Sequence, residues 1–197
     1  MTLYACFLRE RSPKRQHEAA HRLLSFALKR EYGIEHYTLG KGSHGKPFIE
    51  SRTDIKINLS HCSALAVCAV GESALGVDCE GIRDVRSGVV RRAFTESEAL
   101  EIEHSANPDL CFTRLWTLKE AFVKAIGTGV SYPMKNAAFS IADSSAIYNT
   151  IYTNITGAFF SQWVIQDKYI ISLCAAAPEC DTSLIFVSEN ALDTAQK

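Results

Sequence analysis

The sequence predicts an α+β fold built from two similar halves, and three observations carry that expectation. Apolar residues recur at helical spacing in two long segments, as Ala19, Ala20, Leu23, Leu24, Ala27, Leu28 and as Cys111, Leu115, Leu118, Phe122, Ile126. Short β-type apolar runs flank both segments. The order of helix, then strands, then an apolar strand with a cysteine also occurs twice. Ser63-Ala-Leu-Ala-Val-Cys-Ala closes the first round and Tyr169-Ile-Ile-Ser-Leu-Cys-Ala the second. A duplication on this pattern divides the chain near residue 72, into halves 1–72 and 73–197. The shared stretch is short enough that chance also accounts for it.

The elements follow in order. Thr2 to Leu8 is a β-type run. Ser12-Pro13 supplies an N-cap with proline at the first helical position, and Gly33 a stop. Gly40 to Pro47 is a glycine-rich turn, followed by candidate strands over Pro47 to Glu50, Ile55 to Leu59 and Ala64 to Val70. Ala74 to Cys79 reads as a strand and Ser87 to Phe94 as a short helix. Thr95-Glu96-Ser97-Glu98 is a capping box opening another. Asn107-Pro108 starts the long second-half helix and Gly127 ends it. From Ala137 to Val187 the pattern is β-type, with turns at Asp143 to Ser145 and at Gln166 to Lys168.

Composition narrows the function classes. The chain has 197 residues, 47% of them hydrophobic and 22% charged, as expected of a folded protein. With 21 basic and 22 acidic side chains, the net charge of -1 gives no bulk reason for a nucleic-acid or membrane partner. No apolar stretch approaches the about 20 residues of a membrane span. The N-terminal run has no basic region before it and Arg9, Glu10 and Arg11 directly after it, unlike a secretory signal. The seven cysteines, Cys6, Cys62, Cys68, Cys79, Cys111, Cys174 and Cys180, sit mostly in apolar runs. None forms a Cys-x-x-Cys pair, which argues against zinc and for a reduced, cytoplasmic protein.

Five groups of residues could carry chemistry. Asp78 and Glu80 in Gly76-Val77-Asp78-Cys79-Glu80 share one face of a strand, about 7 Å apart, and could hold a hard cation. Taken alone, this segment reads first as a strand ending in polar residues at the surface. Trp116, Glu120 and Lys124 share a helix face, as a cleft wall or as an exposed ion pair worth about 0.3–0.5 kcal/mol. Ser60 and His61 lie in Asn58-Leu59-Ser60-His61. Being adjacent on a strand, they point to opposite faces, so His61 cannot serve Ser60 as a base. They could bind phosphate, or His61 could be a turn residue. Arg15, Arg22 and Lys29 form a basic helix stripe, with Lys41 and Lys46 nearby, suited to phosphates or simply solvated. Arg83, Arg86, Arg91 and Arg92, interleaved with Val89, Val90 and Phe94, suit an acidic protein partner or an ordinary amphipathic helix.

Taken in order, Gly45-Lys46-Pro47, Asn58-Leu59-Ser60-His61, Gly76-Val77-Asp78-Cys79-Glu80 and Trp116-x-x-Lys119-Glu120-Ala121-x-x-Lys124 closely resemble the 4′-phosphopantetheinyl transferases. The resemblance runs from Arg22 to Ala176 and is to the longer type that activates siderophore and surfactin synthetases. It implies two α/β halves packed as an intramolecular pseudo-dimer, monomeric, with the active site in the cleft between them. It implies Mg²⁺-dependent transfer of phosphopantetheine from coenzyme A to a serine of an apo acyl or peptidyl carrier protein, releasing adenosine 3′,5′-bisphosphate. Carried over residue by residue, Asp78, Glu80 and Glu120 ligate Mg²⁺, with Mn²⁺ as an alternative. Glu120 is the base for the carrier serine, directly or through water, and Lys124 stabilises the departing phosphate. Arg22, Lys46, Ser60, His61 and Lys119 hold coenzyme A, mostly through its phosphates. Cys79 stands where an aliphatic residue is more usual. The competing expectations are another Mg²⁺-dependent enzyme acting on pyrophosphate-containing nucleotides, and a carrier-binding module that transfers nothing.

Overall fold

The computed structural model describes residues 1–9, 12–142, 150–177 and 182–194. Cys180 and the turn expected at Asp143 to Ser145 lie outside the described residues. The chain begins with β1 (Thr2–Phe7) and α1 (Pro13–Tyr32). Ser12 caps α1 by accepting the Arg15 N–H, Pro13 occupies its first turn, and Gly33 ends it in the left-handed region at φ 67°. A hairpin of β2 (Leu39–Lys41) and β3 (Pro47–Ile49) follows, then β4 (Lys56–Cys62) and β5 (Leu65–Gly71). The third expected strand of this half is longer than its apolar run, because β4 extends through Ser60 and His61 to Cys62. His61 is therefore a strand residue, not a turn residue.

The second round opens with β6 (Leu75–Gly81), α2 (Ser87–Ala93), α3 (Glu96–His104) and α4 (Pro108–Ile126). Thr95 and Glu98 form the expected capping box. Asn107 caps α4, and Gly127 closes it at φ 72°. Two short 3₁₀ turns lead to β7 (Phe139–Ala142), β8 (Thr150–Thr153), β9 (Phe159–Ile165) and β10 (Tyr169–Ala175), then β11 (Leu184–Phe186) and α5 (Glu189–Thr194). The turn between β9 and β10 places Gln166 and Asp167 at φ 53° and 51°, a combination that suits the right-handed twist of a hairpin.

One sheet has the order β11-β1-β5-β4 and another the order β6-β10-β9. The last strand of each round, β5 and β10, is inserted antiparallel between the first strand and the last but one. The two rounds therefore share strand order as well as sequence pattern.

Strand alternation then builds four layers. Tyr4, Cys6, Ala66 and Cys68 turn toward Leu23, Leu24, Ala27 and Leu28 of α1. Leu3, Ala5, Leu65 and Val67 face the other way, against Leu75, Val77, Ile171 and Leu173 of the second sheet. The far side of that second sheet, with Cys174, packs under Leu118, Ala121 and Phe122 of α4. The helix-facing side of β6 therefore lies beneath α4.

Candidate active site

Gly76 sets the distance between β6 and α4. A Cβ there would lie 2.2 Å from the Ala121 carbonyl oxygen and 2.3 Å from the Ala125 nitrogen, both backbone atoms. Without a side chain at 76, α4 lies directly on β6. Asp78, two residues along the same face, then comes within reach of Lys124 one turn along the helix.

The Lys124 ammonium donates to Asp78 Oδ1 at 2.6 Å and to Ser60 Oγ at 3.0 Å. Ser60 donates its own proton to Asp78 Oδ1 at 2.9 Å and accepts the Cys79 N–H at 3.2 Å. Asn58, two residues earlier on the same face of β4, accepts the Val77 N–H at 2.7 Å. The free edge of β6 is thus closed by side chains of β4, not by another strand. The other face of β4 carries Leu59 and His61, so Ser60 and His61 do point apart.

Glu80 and Glu120 complete an acidic centre. Burial raises Glu120 above the usual carboxylate range, and the charges of Asp78 and Glu80 push the same way. Glu80 is raised by burial and then by Asp78. Burial opposes the charge on Lys124, but Asp78, by charge and hydrogen bond, holds it above the usual lysine range. Arg83 pairs with Glu80 at 3.4 Å and lies over the rings of Trp116 and Phe112, at 5.4 and 5.8 Å. Among the described residues no three His, Cys, Asp or Glu side chains are gathered closely enough to ligate an ion. The donor set nevertheless suits a hard cation. Asp78 raises both Glu80 and Glu120, and its own buried Oδ2 has no hydrogen-bond partner.

A groove leads away from Lys124 past the Gly45-Lys46-Pro47 loop. Its near part, about 230 Å³, is lined by Lys124, Asn58, Lys46 and Gly127. Its far part, about 440 Å³, shares Gly45, Pro47 and Leu59 with the near part and ends at His17, His21 and His61. The His17 and His21 rings stand 4.5 Å apart, with His61 edge-on to His17 at 6.4 Å. Burial, then the neighbouring positive groups, hold His21 and His61 below the usual histidine range. A larger cavity of about 460 Å³ by His104, Asn107 and Arg114 shares no residue with the groove.

The structure places four of the expected coenzyme A contacts as follows, with Lys46 among the residues that line the near part of the groove. Lys119 is fully buried and points away from the groove, with its ammonium 2.8 Å from Glu98 and bonded to the Met134 and Ala137 carbonyls. Its charge is met by Glu98 and by two main-chain carbonyls. Lys46 turns its ammonium inward onto the Leu75 and Ala125 carbonyls, at 2.8 and 2.9 Å, and burial pushes it down to about 8. It ties the glycine-rich loop to β6 and α4. The Ser60 hydroxyl serves Asp78, Cys79 and Lys124. Half-buried Arg22 does not line the groove, whereas His21 beside it does.

His17 and His21 were missed in the sequence. Their spacing of four on α1, together with His61, was the available signal. Lys29 pairs with Glu35 at 2.9 Å and Arg15 with Glu18 at 3.6 Å, as solvated ion pairs. On α2, Arg91 and Arg92 are exposed, while Val89 and Val90 pack toward α4.

Comparison with known proteins identifies the family. Residues 74–174, about half of the chain, match the model of the 4′-phosphopantetheinyl transferase superfamily. The chain is 29% identical over 175 residues to a 4′-phosphopantetheinyl transferase of Bacillus subtilis, covering 83% of this chain and 78% of the relative. It is 26% identical over 182 residues to the 4′-phosphopantetheinyl transferase Sfp of Bacillus subtilis strain 168, covering 87% and 81%. Among solved structures, the holo-[acyl-carrier-protein] synthase AcpS of Neisseria meningitidis aligns over 52% of this chain and 96% of its own, at 19% identity and a TM-score of 0.42. With the acidic pair on β6 and the Glu120–Lys124 face of α4 both inside the matched span, the chain belongs to the 4′-phosphopantetheinyl transferase superfamily.

Proposed function

We propose that this protein transfers 4′-phosphopantetheine from coenzyme A to a serine hydroxyl of an apo acyl or peptidyl carrier protein, leaving adenosine 3′,5′-bisphosphate. The observation that carries this reading is the acidic centre of Asp78, Glu80 and Glu120 beside Lys124, which lines one end of a groove whose other end carries Lys41 and three histidines. Coenzyme A is a pyrophosphate with a phosphate monoester at its adenosine end, and the groove suits both. His17, His21 and His61 take the monoester. Lys124 takes the pyrophosphate, moving from Asp78 to do so.

Asp78, Glu80 and Glu120 would hold Mg²⁺, which supplies neutralisation of charge on the pyrophosphate. The remaining chemistry belongs to the chain. Glu120, half-buried with its proton affinity raised, accepts the proton of the carrier serine at Oε. Lys124 offsets the charge left on the departing phosphate. Ser60, donating to Asp78, holds that carboxylate in place. Arg83 anchors Glu80 while stacked on Trp116. The exposed arginines of α2 would meet an acidic carrier. A monomer in a reducing compartment is the setting we propose, with no disulfide among the described cysteines.

The test is intact-mass spectrometry of an apo carrier incubated with the protein, coenzyme A and Mg²⁺. The expected result is a carrier heavier by one phosphopantetheine, abolished by EDTA and restored by excess Mg²⁺. An unmodified carrier in every case, with coenzyme A hydrolysed instead, would favour a pyrophosphate hydrolase.

A further inference from the structure

Cys79 stands between two of the proposed metal ligands, and nothing in the transfer chemistry uses it. Its side chain leaves the opposite face of β6 from Asp78 and Glu80, into the layer between the sheets. There its Sγ lies 3.8 Å from the Leu65 carbonyl. Leu65 is the cross-strand partner of Cys62 on β4. Cys62 is on the same face of β4 as Asn58 and Ser60, whose side chains reach the Val77 and Cys79 amides. Both side chains accordingly lie in the layer between the sheets at the β4–β6 seam, beside Leu65. Strand alternation asks only for small apolar residues at both positions. Cys68, by contrast, is enclosed between the first sheet and α1.

We propose that Cys62 and Cys79 form a reversible disulfide on exposure to a hydroperoxide, and that this bond disables the acidic centre; the second clause rests on the transferase reading above. Cys62 is 9% exposed at the end of its strand and Cys79 is 1% exposed, so the oxidant meets Cys62 first. The Cys62 sulfur attacks the peroxide, cleaving the O–O bond and giving a sulfenic acid and one molecule of water or alcohol. The Cys79 sulfur then attacks that sulfur, and its proton leaves with the hydroxide as water. The two thiols have given up two electrons and two protons, and the peroxide has been reduced. A disulfide is about 2.05 Å long, far shorter than a contact between thiols. Closing it draws β4 onto β6 at Ser60, the residue wedged between Asp78, Lys124 and the Cys79 amide. Because Cys79 sits between Asp78 and Glu80 in the chain, the pull reaches both carboxylates.

The experiment treats the full-length protein with hydrogen peroxide, alkylates remaining thiols and maps peptides without reduction. The expected species joins the peptide carrying Cys62 to the one carrying Cys79 and is lost on adding dithiothreitol. Carrier modification should fall roughly a hundredfold on oxidation, as for a misplacement of about 1 Å in a catalytic group, and return on reduction. Cys79→Val and, independently, Cys62→Ala should keep the activity and lose its sensitivity to peroxide. Oxidation confined to Cys111, with Cys62 and Cys79 both still alkylated, overturns the pairing. A cross-link that leaves activity unchanged overturns the control. A cross-link in a protein that transfers nothing even when reduced supports the pairing and counts against the transferase reading instead.

Discussion

Glu120 and Lys119 are neighbours on α4 and have opposite fates. Glu120→Gln keeps the shape of the side chain but removes a base and a charge. Transfer to the carrier should fall about 10²–10⁴-fold, with the thermal midpoint little changed. That pair of measurements separates a catalytic role from a structural one. Lys119→Met should do the reverse. It strands the Glu98 carboxylate in a fully buried site, where that carboxylate otherwise also accepts the Thr95 and Phe139 amides. Breaking a buried pair costs about 3–5 kcal/mol, so urea denaturation should show a large loss while coenzyme A affinity of the folded protein is unchanged. The double variant Glu98→Gln with Lys119→Met should recover part of that loss. Spacing within α4 could not reveal this difference. Glu120 and Lys124 are recognisable as a stripe, but Lys119 depends on a partner in α3 that only the packing supplies.

At the scale of the element, the close contact of β6 and α4 hangs on Gly76. Gly76→Ala must push a helix backbone outward, since both atoms it would strike are main-chain. A cost of about 1–3 kcal/mol in stability is expected. The loss of activity should be greater, because the same shift withdraws Glu120 and Lys124 from Asp78. Comparing unfolding with transfer rate checks both. The helix α1 contributes a different kind of prediction. His21 and His61 are held below the usual histidine range, and a bound phosphate dianion favours their protonated forms. Binding therefore takes up protons, and affinity for coenzyme A should rise as pH falls from about 8 to about 6. Calorimetry should show a weaker trend with 3′-dephospho-coenzyme A and a flat one when His17, His21 and His61 are all replaced by Gln. A steep trend in that triple variant would remove the histidines from the site. Periodicity and caps made α1 and α4 legible in the sequence almost to the residue. The extension of β4 was not legible, because Ser60, His61 and Cys62 are not strand-like by composition. They are held there by pairing with Val67, Ala66 and Leu65.

For the molecule as a whole, the repeated strand order was visible in the sequence only as a short echo around Cys68 and Cys174. The packing of the two sheets face to face depends on alternation in four strands at once, and no one segment displays it. The acidic site lies on one side of that sandwich and α2 on the same chain segment that joins β6 to α4. Reversing charge at Arg91 and Arg92 should raise the carrier KM several-fold, more at low ionic strength, and leave the coenzyme A KM alone. Steady-state kinetics with each substrate varied in turn decides this. The closure of β6 by Asn58 and Ser60 also gives the molecule a built-in clock. The Val77 and Cys79 amide protons are bound by side chains, whereas the amides on the other edge of β6 belong to the ladder with β10. In heavy water the first pair exchanges whenever β4 lifts away, and the second set only when the sheet itself opens. The ratio of the two exchange rates therefore reports how often the two layers part while each remains folded.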